Sequence, residues 1–330
     1  MKIRVLSIDG GGIRGIAPAH MLARLEQKLL DSGKLKVADS FELFVGTSTG
    51  CIVAAGLAAS GQAAQPLAPK DIEQLYHTHG QAMFTSQWAG IGPFPLFSGK
   101  YKESAKGAVL RQILGNLPLG ELERNFLGTF YNVAAGPGPI FPNGGPQYRN
   151  VGDNRFSQVP LWNVVNASSS APFYFDPAEL TALHHDMRGA DGGLFANNPA
   201  MCGYVEAVKT WAGENGEKPE FLVASFGCGQ STVKFEKQKR WGVLQWAAPT
   251  RGVPLLEAMF DGQSETVHYQ MKKLLEPENY FRLEFSLDGF GKIAMDDASD
   301  ANIARILKAT TDYLDRQGGD AELDRLAAAL

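Results

Sequence analysis

The sequence predicts a three-layer α/β/α fold around a central, mostly parallel sheet, on the strength of three observations. A short β-branched run from Ile3 to Ile8 is cut by Gly10-Gly11-Gly12 and followed by a helical pattern. A second run, Phe41 to Val45, is cut by Gly46-Thr47-Ser48-Thr49-Gly50 and leads into a small-residue helix from about Cys51 to Ala59. A third, Phe221 to Phe226, has the composition of a buried strand and ends at Gly227-Cys228-Gly229. Alternation of strand, sharp turn and helix places helices on both faces of a parallel sheet and gathers the strand ends on one rim.

The remaining elements follow in order. Ile16, Ala19, Leu22, Leu25, Leu29 and Leu30 recur mostly at spacings of three and four, which puts one apolar stripe on a helix ending near Ser32-Gly33. Residues 81–99 mix glycine, proline and large apolar side chains without a period and read as a loop or lid. Residues 136–150 read as a second loop. Leu161 to Ser168 reads helical, Gly192 to Asn198 turn-like, and Pro199 to Trp211 helical with the proline near its first turn. Leu255 to Leu275 and Ala301 to Leu314 are amphipathic helices, the second with Ser299 as its cap. No repeat or shift in composition divides the chain, so residues 1–330 read as a single domain.

Composition narrows the function. Apolar residues make up 44% and charged residues 20%, as in an ordinary globular protein, which excludes disorder and coiled coil. With 31 lysines and arginines against 35 acidic residues, the net charge of −4 provides no field for a nucleic acid polymer. Cys51, Cys202 and Cys228 are too few and too widely spaced for a disulfide framework or a structural zinc site, which fits a reduced cytoplasm. The apolar stretch at the N-terminus stops at Asp9, too soon for a signal peptide, and the run from Cys51 to Ala59 falls short of the ~18 residues a membrane span needs. Any membrane contact is expected to be peripheral.

Two turns carry chemistry. Gly10-Gly11-Gly12-Ile13-Arg14-Gly15 has the spacing of a dinucleotide-binding turn, but the acidic residue that should follow a second strand to meet a ribose is missing. Gly46-Thr47-Ser48-Thr49-Gly50 has the spacing of a nucleophile elbow, in which small flanking residues permit a strained turn that lifts the serine hydroxyl clear of the backbone. The alternative is that one of its hydroxyls merely caps the next helix. A Ser-His-Asp triad would require a late histidine; the sole one beyond Asp191 is His268, in a helical stretch where a surface or satisfied role fits better. An acyl-transfer site remains, with the amides of the glycine turn at a helix N-terminus available to an oxyanion. Its candidate base is Asp191 in Gly189-Ala190-Asp191-Gly192-Gly193, where flanking glycines allow close approach; an Asx turn is the alternative.

Taken together, these residues resemble the patatin-like phospholipases over nearly the whole chain. The matching motifs are Asp9 to Gly15, Gly46 to Gly50 and Asp191-Gly192-Gly193, in that order. Weaker matches are Ala167-Ser168-Ser169-Ser170-Ala171-Pro172 with Tyr174-Phe175, Ser225 to Gly229, and Asp296-Asp297-Ala298-Ser299. The resemblance implies a serine lipid acyl hydrolase in which Ser48 is the nucleophile and Asp191 its direct partner. The amides of Gly10, Gly11 and Gly12 would form the oxyanion hole. Arg14 would fix the glycine loop or meet a phosphate, or simply lie at the surface, with Gly46, Gly50, Gly192 and Gly193 in support. No cofactor or metal is implied. An aspartate with a reference pKa of ~3.9 is a weak base at neutral pH, so burial must raise it or the oxyanion hole must carry the acceleration.

The resemblance extends to compact bacterial effectors of antiphage signalling, implying a cyclic dinucleotide activator and phospholipid of the inner membrane as target. A nucleotide sensor built on the glycine turn, and an acyltransferase using the same serine, are the competing functions. Other clusters read more plainly. His77-Thr78-His79 and His184-His185-Asp186 lack metal-ligand spacing and read as solvated turns. Lys234, Lys237, Lys239 and Arg240 beside Trp241 and Trp246 form a basic aromatic segment that anionic headgroups would attract, or a solvated one. Trp88, Phe94, Leu96 and Phe97 would wall an acyl pocket, dip into the membrane interface or pack in the core.

Overall fold

The computed structural model describes residues 2–60, 65–87, 98–149, 155–180, 187–212, 219–231, 242, 246 and 253–330. The basic segment from Lys234 to Trp241, the aromatic run from Trp88 to Phe97 and the pair His184-His185 lie outside the described residues. The strands are β1 (Lys2–Ile8), β2 (Leu43–Thr47), β3 (Asn125–Asn132), β4 (Gly138–Ile140), β5 (Asn143–Gly144), β6 (Ala178–Glu179), β7 (Arg188–Asp191), β8 (Glu220–Phe226) and β9 (Tyr280–Leu283). The helices are α1 (Ile16–Asp31), α2 (Thr49–Ala58), α3 (Pro69–Met83), α4 (Glu103–Leu114), α5 (Leu161–Ser168), α6 (Gly193–Ala196), α7 (Ala200–Thr210), α8 (Pro254–Leu274), α9 (Asp300–Arg316) and α10 (Gly319–Ala329).

All these strands join one mixed sheet in the order β6-β7-β3-β2-β1-β8-β9. From β3 to β9 every pairing is parallel, whereas β7 runs antiparallel to β3 and β6 antiparallel to β7. The inner strands β2 and β8 are covered on both faces, which is why they read as largely continuous apolar runs and not as alternating ones. Leu6, Ile8 and Phe44 face a core shared with α1, α2 and α9, while Ile3, Val5, Leu43 and Val45 face a second core shared with α7 and α8. Helix, sheet and helix therefore form three layers.

Helix α2 is buried along its whole length. Its residues, Thr-Gly-Cys-Ile-Val-Ala-Ala-Gly-Leu-Ala, are small or apolar on every side, as an internal helix requires. Helix α9 is amphipathic, and the Ser299 hydroxyl accepts from the Asn302 amide at 3.3 Å as the predicted cap. The predicted loop at 136–150 is corrected: β4 and β5 lie there, both antiparallel to β3. Backbone pairing at a sheet edge needs no apolar pattern, so Gly-Pro-Ile and Asn-Gly gave no strand signal. In the predicted lid, α3 runs on to Met83, and Ser86 pairs with Tyr101 in an isolated bridge.

Candidate active site

Ser48 stands between β2 and α2 with φ 55° and ψ −123°. A non-glycine residue held in such a left-handed conformation costs about 1–3 kcal/mol, so the surrounding chain must enforce it. The enforcement is steric. A Cβ on Gly46 would meet the Gly50 carbonyl at 2.4 Å, and one on Gly50 would meet the carbonyls of Ile8 and Asp9 at 2.1 and 2.5 Å. The end of β1 thus presses directly on the elbow. Gly50→Ala is expected to cost about 1–3 kcal/mol by overpacking. A thermal denaturation midpoint unchanged from wild type would show that the elbow yields where the packing says it cannot.

The Ser48 side chain does not cap α2. Its Oγ instead donates to Asp191 Oδ2 at 2.6 Å, and this corrects the capping alternative. Asp191 ends β7, opposite Phe130 of β3, and is 1% exposed. Its amide donates to the Ser170 carbonyl at 2.9 Å, and its Oδ1 accepts from the Gly193 amide at 2.7 Å. The Gly192 amide donates to the Ser168 carbonyl at 3.2 Å, and Ser168 Oγ accepts the Ser48 amide at 2.9 Å. Residues 168–170 therefore hold both members of the pair. Burial raises the Asp191 carboxyl above the usual carboxylate range, against the pull of the Ser48 hydroxyl, the Gly193 amide and the Lys106 ammonium. Desolvation thus supplies basicity that an exposed aspartate lacks.

The glycine turn lies beside this pair. Gly11 and Gly12 line the cleft at Ser48, and their amides donate to no group among the described residues. Gly10 differs, because its amide donates to the Asn197 carbonyl at 2.9 Å. It is already engaged, and no local pattern announces that partner. Gly12 adopts φ +62°, and a Cβ there would meet the Met295 carbonyl at 2.2 Å. Arg14 binds the loop, donating from Nε to the Gly11 carbonyl at 3.3 Å and from Nη1 to the Gly229 carbonyl at 3.1 Å. Asp9 is fixed from below, its Oδ2 accepting from Arg282 Nη2 at 2.7 Å. Arg282 also donates to Ser225 Oγ at 2.8 Å and to Glu284 Oε2 at 2.8 Å, and Glu284 Oε1 accepts the Gly229 amide at 2.9 Å.

Above Ser48 opens a cleft of about 650 Å³, its mouth included, walled chiefly by Ile52, Met83, Phe84, Tyr174, Phe175 and Phe260. Such a lining suits an acyl chain. His268 stands on α8 with its Nδ1 3.1 Å from the Tyr280 hydroxyl and is not among the cleft residues. His77 and His79 belong to α3, and among the described residues no cluster of three metal-ligating side chains occurs. Lys106 escaped the sequence reading. It occupies an apolar-stripe position of α4, with Val109, Leu110, Ile113 and Leu114 at spacings of three, four, seven and eight, and that misplaced charge was its one signal.

Comparison with known proteins finds relatives that match most of the chain. The rice (Oryza sativa subsp. indica) protein "Patatin-like protein 2" is 28% identical over 370 residues, covering 98% of this chain and 90% of its own length. "Patatin-like protein 3" of Arabidopsis thaliana is 28% identical, covering 86% of this chain and 73% of its own, and "Patatin-04/09" of Solanum tuberosum 27% identical, covering 93% and 82%. The solved structure of VipD from Legionella pneumophila aligns with 98% of this chain and 66% of its own at 15% identity and a TM-score of 0.47. The pattern that defines the patatin-like phospholipases matches residues 6–202, from β1 through the elbow and the Asp-Gly-Gly turn into α7. The chain belongs to the patatin-like phospholipase family, whose members are lipid acyl hydrolases.

Proposed function

We propose that this protein hydrolyses phospholipid acyl esters at a membrane surface through a Ser48–Asp191 dyad. The observation that carries the reading is the 2.6 Å hydrogen bond from Ser48 Oγ to Asp191 Oδ2 at the floor of an apolar cleft. Ser48 Oγ attacks the ester carbonyl carbon while its proton passes to Asp191. Negative charge gathers on the carbonyl oxygen, where the free amides of Gly11 and Gly12 stabilise it. Collapse breaks the ester bond, and Asp191 returns the proton to the departing alcohol of the lysophospholipid. Asp191 then takes a proton from a water that attacks the acyl-enzyme carbonyl, and returns it to Ser48 Oγ as the acyl–oxygen bond breaks and the fatty acid leaves. Gly10 supports this oxyanion hole by its bond to Asn197 and does not line it.

Peripheral contact with a membrane is supported by Phe173, and the inner membrane as that surface rests on the family resemblance. Phe173 is 43% exposed, holds φ +69° and precedes the cleft residues Tyr174 and Phe175. Among the described residues no helix is long and apolar enough to cross a membrane. Gating by a cyclic dinucleotide rests on the family resemblance and is tested alongside. Intact mass spectrometry after a fluorophosphonate probe is expected to show one adduct on the wild type and none on Ser48→Ala. Adduct formation that requires a cyclic dinucleotide supports gating, and adduct without it makes the enzyme constitutive. No adduct under either condition overturns the serine hydrolase reading.

A further inference from the structure

Lys106 is 2% exposed on the inner side of α4 and lines the same cleft as Asp191. Its Nζ lies 3.0 Å from each of three oxygens: the Asn166 carbonyl, Ser169 Oγ and Ser170 Oγ. Ser169 Oγ donates its own hydrogen to the Val165 carbonyl at 2.8 Å, and Ser170 Oγ donates to the Asn166 carbonyl at 2.8 Å. Both hydroxyls can therefore only accept from the lysine. Burial lowers the Lys106 pKa to about 7 against the pull of Asp191 and Glu103, but three acceptors and no donor around Nζ suit an ammonium with three hydrogens better than a neutral amine. The acceptors belong to the C-terminal end of α5 and the residues just past it, where the helix dipole favours a cation. The Phe175 ring closes the site, its centroid 4.3 Å from Nζ.

We propose that Lys106 is a positioning residue of the reaction, a buried ammonium that serves as the counter-charge of Asp191 and ties down the Ser168-Ser169-Ser170 turn. The proposal rests on the dyad reading above. The two effects meet at Ser170, whose hydroxyl accepts from Lys106 and whose carbonyl accepts the Asp191 amide. Ser168, two residues earlier, accepts the Ser48 amide, so the turn that anchors the lysine also sets the distance between nucleophile and base. Two carboxylates face the ammonium, Asp191 from β7 and Glu103 from α4 itself; Glu103 also accepts a hydrogen bond from Asn166 Nδ2. The groups facing Asp191 are the Ser48 hydroxyl, the Gly193 amide and Lys106, with the Cys51 thiol beneath. With all three hydrogens engaged, Lys106 has none left for substrate. Its contribution is to keep Asp191 a carboxylate in a dry cleft, able to take the Ser48 proton.

The sign of the effect follows. Removing the cation raises the Asp191 pKa further, so the base is protonated over a wider acidic range and the acid limb of activity moves up. The test compares kcat/KM for p-nitrophenyl butyrate across pH in wild type, Ser48→Ala and Lys106→Met. Lys106→Met is expected to move the acid limb up by about one pH unit, giving about a tenfold loss on the acidic side that shrinks towards alkaline pH. A loss uniform across pH overturns the counter-charge role and leaves Lys106 only the anchoring of the serine turn. Wild-type hydrolysis that survives in Ser48→Ala overturns the dyad itself, a separate failure. A second readout leaves the lysine intact. In ¹⁵N-lysine NMR, the slowly exchanging Lys106 ammonium is expected to titrate at lower pH in Asp191→Asn than in wild type, because the coupling of two titrating sites is mutual. Equal midpoints in the two proteins overturn the proposal without reference to activity.

Discussion

Ser48→Ala and Ser48→Gly are each expected to lose about 10³–10⁶-fold in ester hydrolysis, and the glycine variant is expected to be the more stable of the two by about 1 kcal/mol. The second part reverses the usual order, because glycine ordinarily destabilises relative to alanine through its greater freedom in the unfolded chain. Both variants lack the hydroxyl that bonds to Asp191, so that loss cancels between them. The difference left is the backbone at φ 55°, which glycine adopts freely and alanine does not. Asp191→Asn is expected to fall to the same activity floor, and combining it with Ser48→Ala should add little, since the two act as one unit. Hydrolysis assays with paired thermal melts check both statements. An alanine variant more stable than the glycine variant would mean that Ser48 is unstrained, and residual activity above about one tenth in either single variant would mean that the dyad is misassigned.

Arg282→Met is expected to destabilise the fold by about 3–5 kcal/mol at neutral pH, the largest effect on stability foreseen here. The Arg282 side chain is 7% exposed and that of Asp9 2%, so removing the guanidinium strands a buried carboxylate beside that of Glu284. Burial pushes the Asp9 carboxyl well above the usual range even with Arg282 pulling it down, and without Arg282 it rises further. A carboxyl whose pKa is raised on folding binds more protons folded than unfolded. The variant's deficit should therefore shrink as pH falls and grow as pH rises through the folded-state pKa. Urea denaturation at about pH 5 and about pH 8 reads this directly. An equal deficit at both values would show that Arg282 contributes packing alone.

Much of this was legible in the sequence, for identifiable reasons. The two strand-turn-helix units could be read because small residues at the turns interrupt apolar runs, and the structure needs those glycines for contact distances no Cβ survives. Asp191 could be singled out because its glycine neighbours signal close approach, and the Gly193 amide does approach its Oδ1. What escaped detection depends on distance in sequence. Nothing near Gly10 announces that Asn197 will take its amide, and nothing near Asp9 announces Arg282. Strand β3 carries Asn125, Gly128, Thr129 and Asn132 among its apolar residues, too mixed a run to separate from a loop by period. Its place in the sheet comes from pairing with β2 and β7 and not from local preference.

The central place of β1 also governs when the protein becomes capable of its chemistry. Ser48 is separated from Asp191 by 143 residues and Asp9 from Arg282 by 273, and β1 gains its neighbour β8 only after Glu220 has been made. A chain growing from the ribosome thus presents Ser48 long before Asp191, and its glycine turn longer still before the arginine that pins it. On the proposed dyad, a chain that stops short of Asp191 holds Ser48 without its partner, so the order of synthesis withholds the pair until more than half of the chain exists.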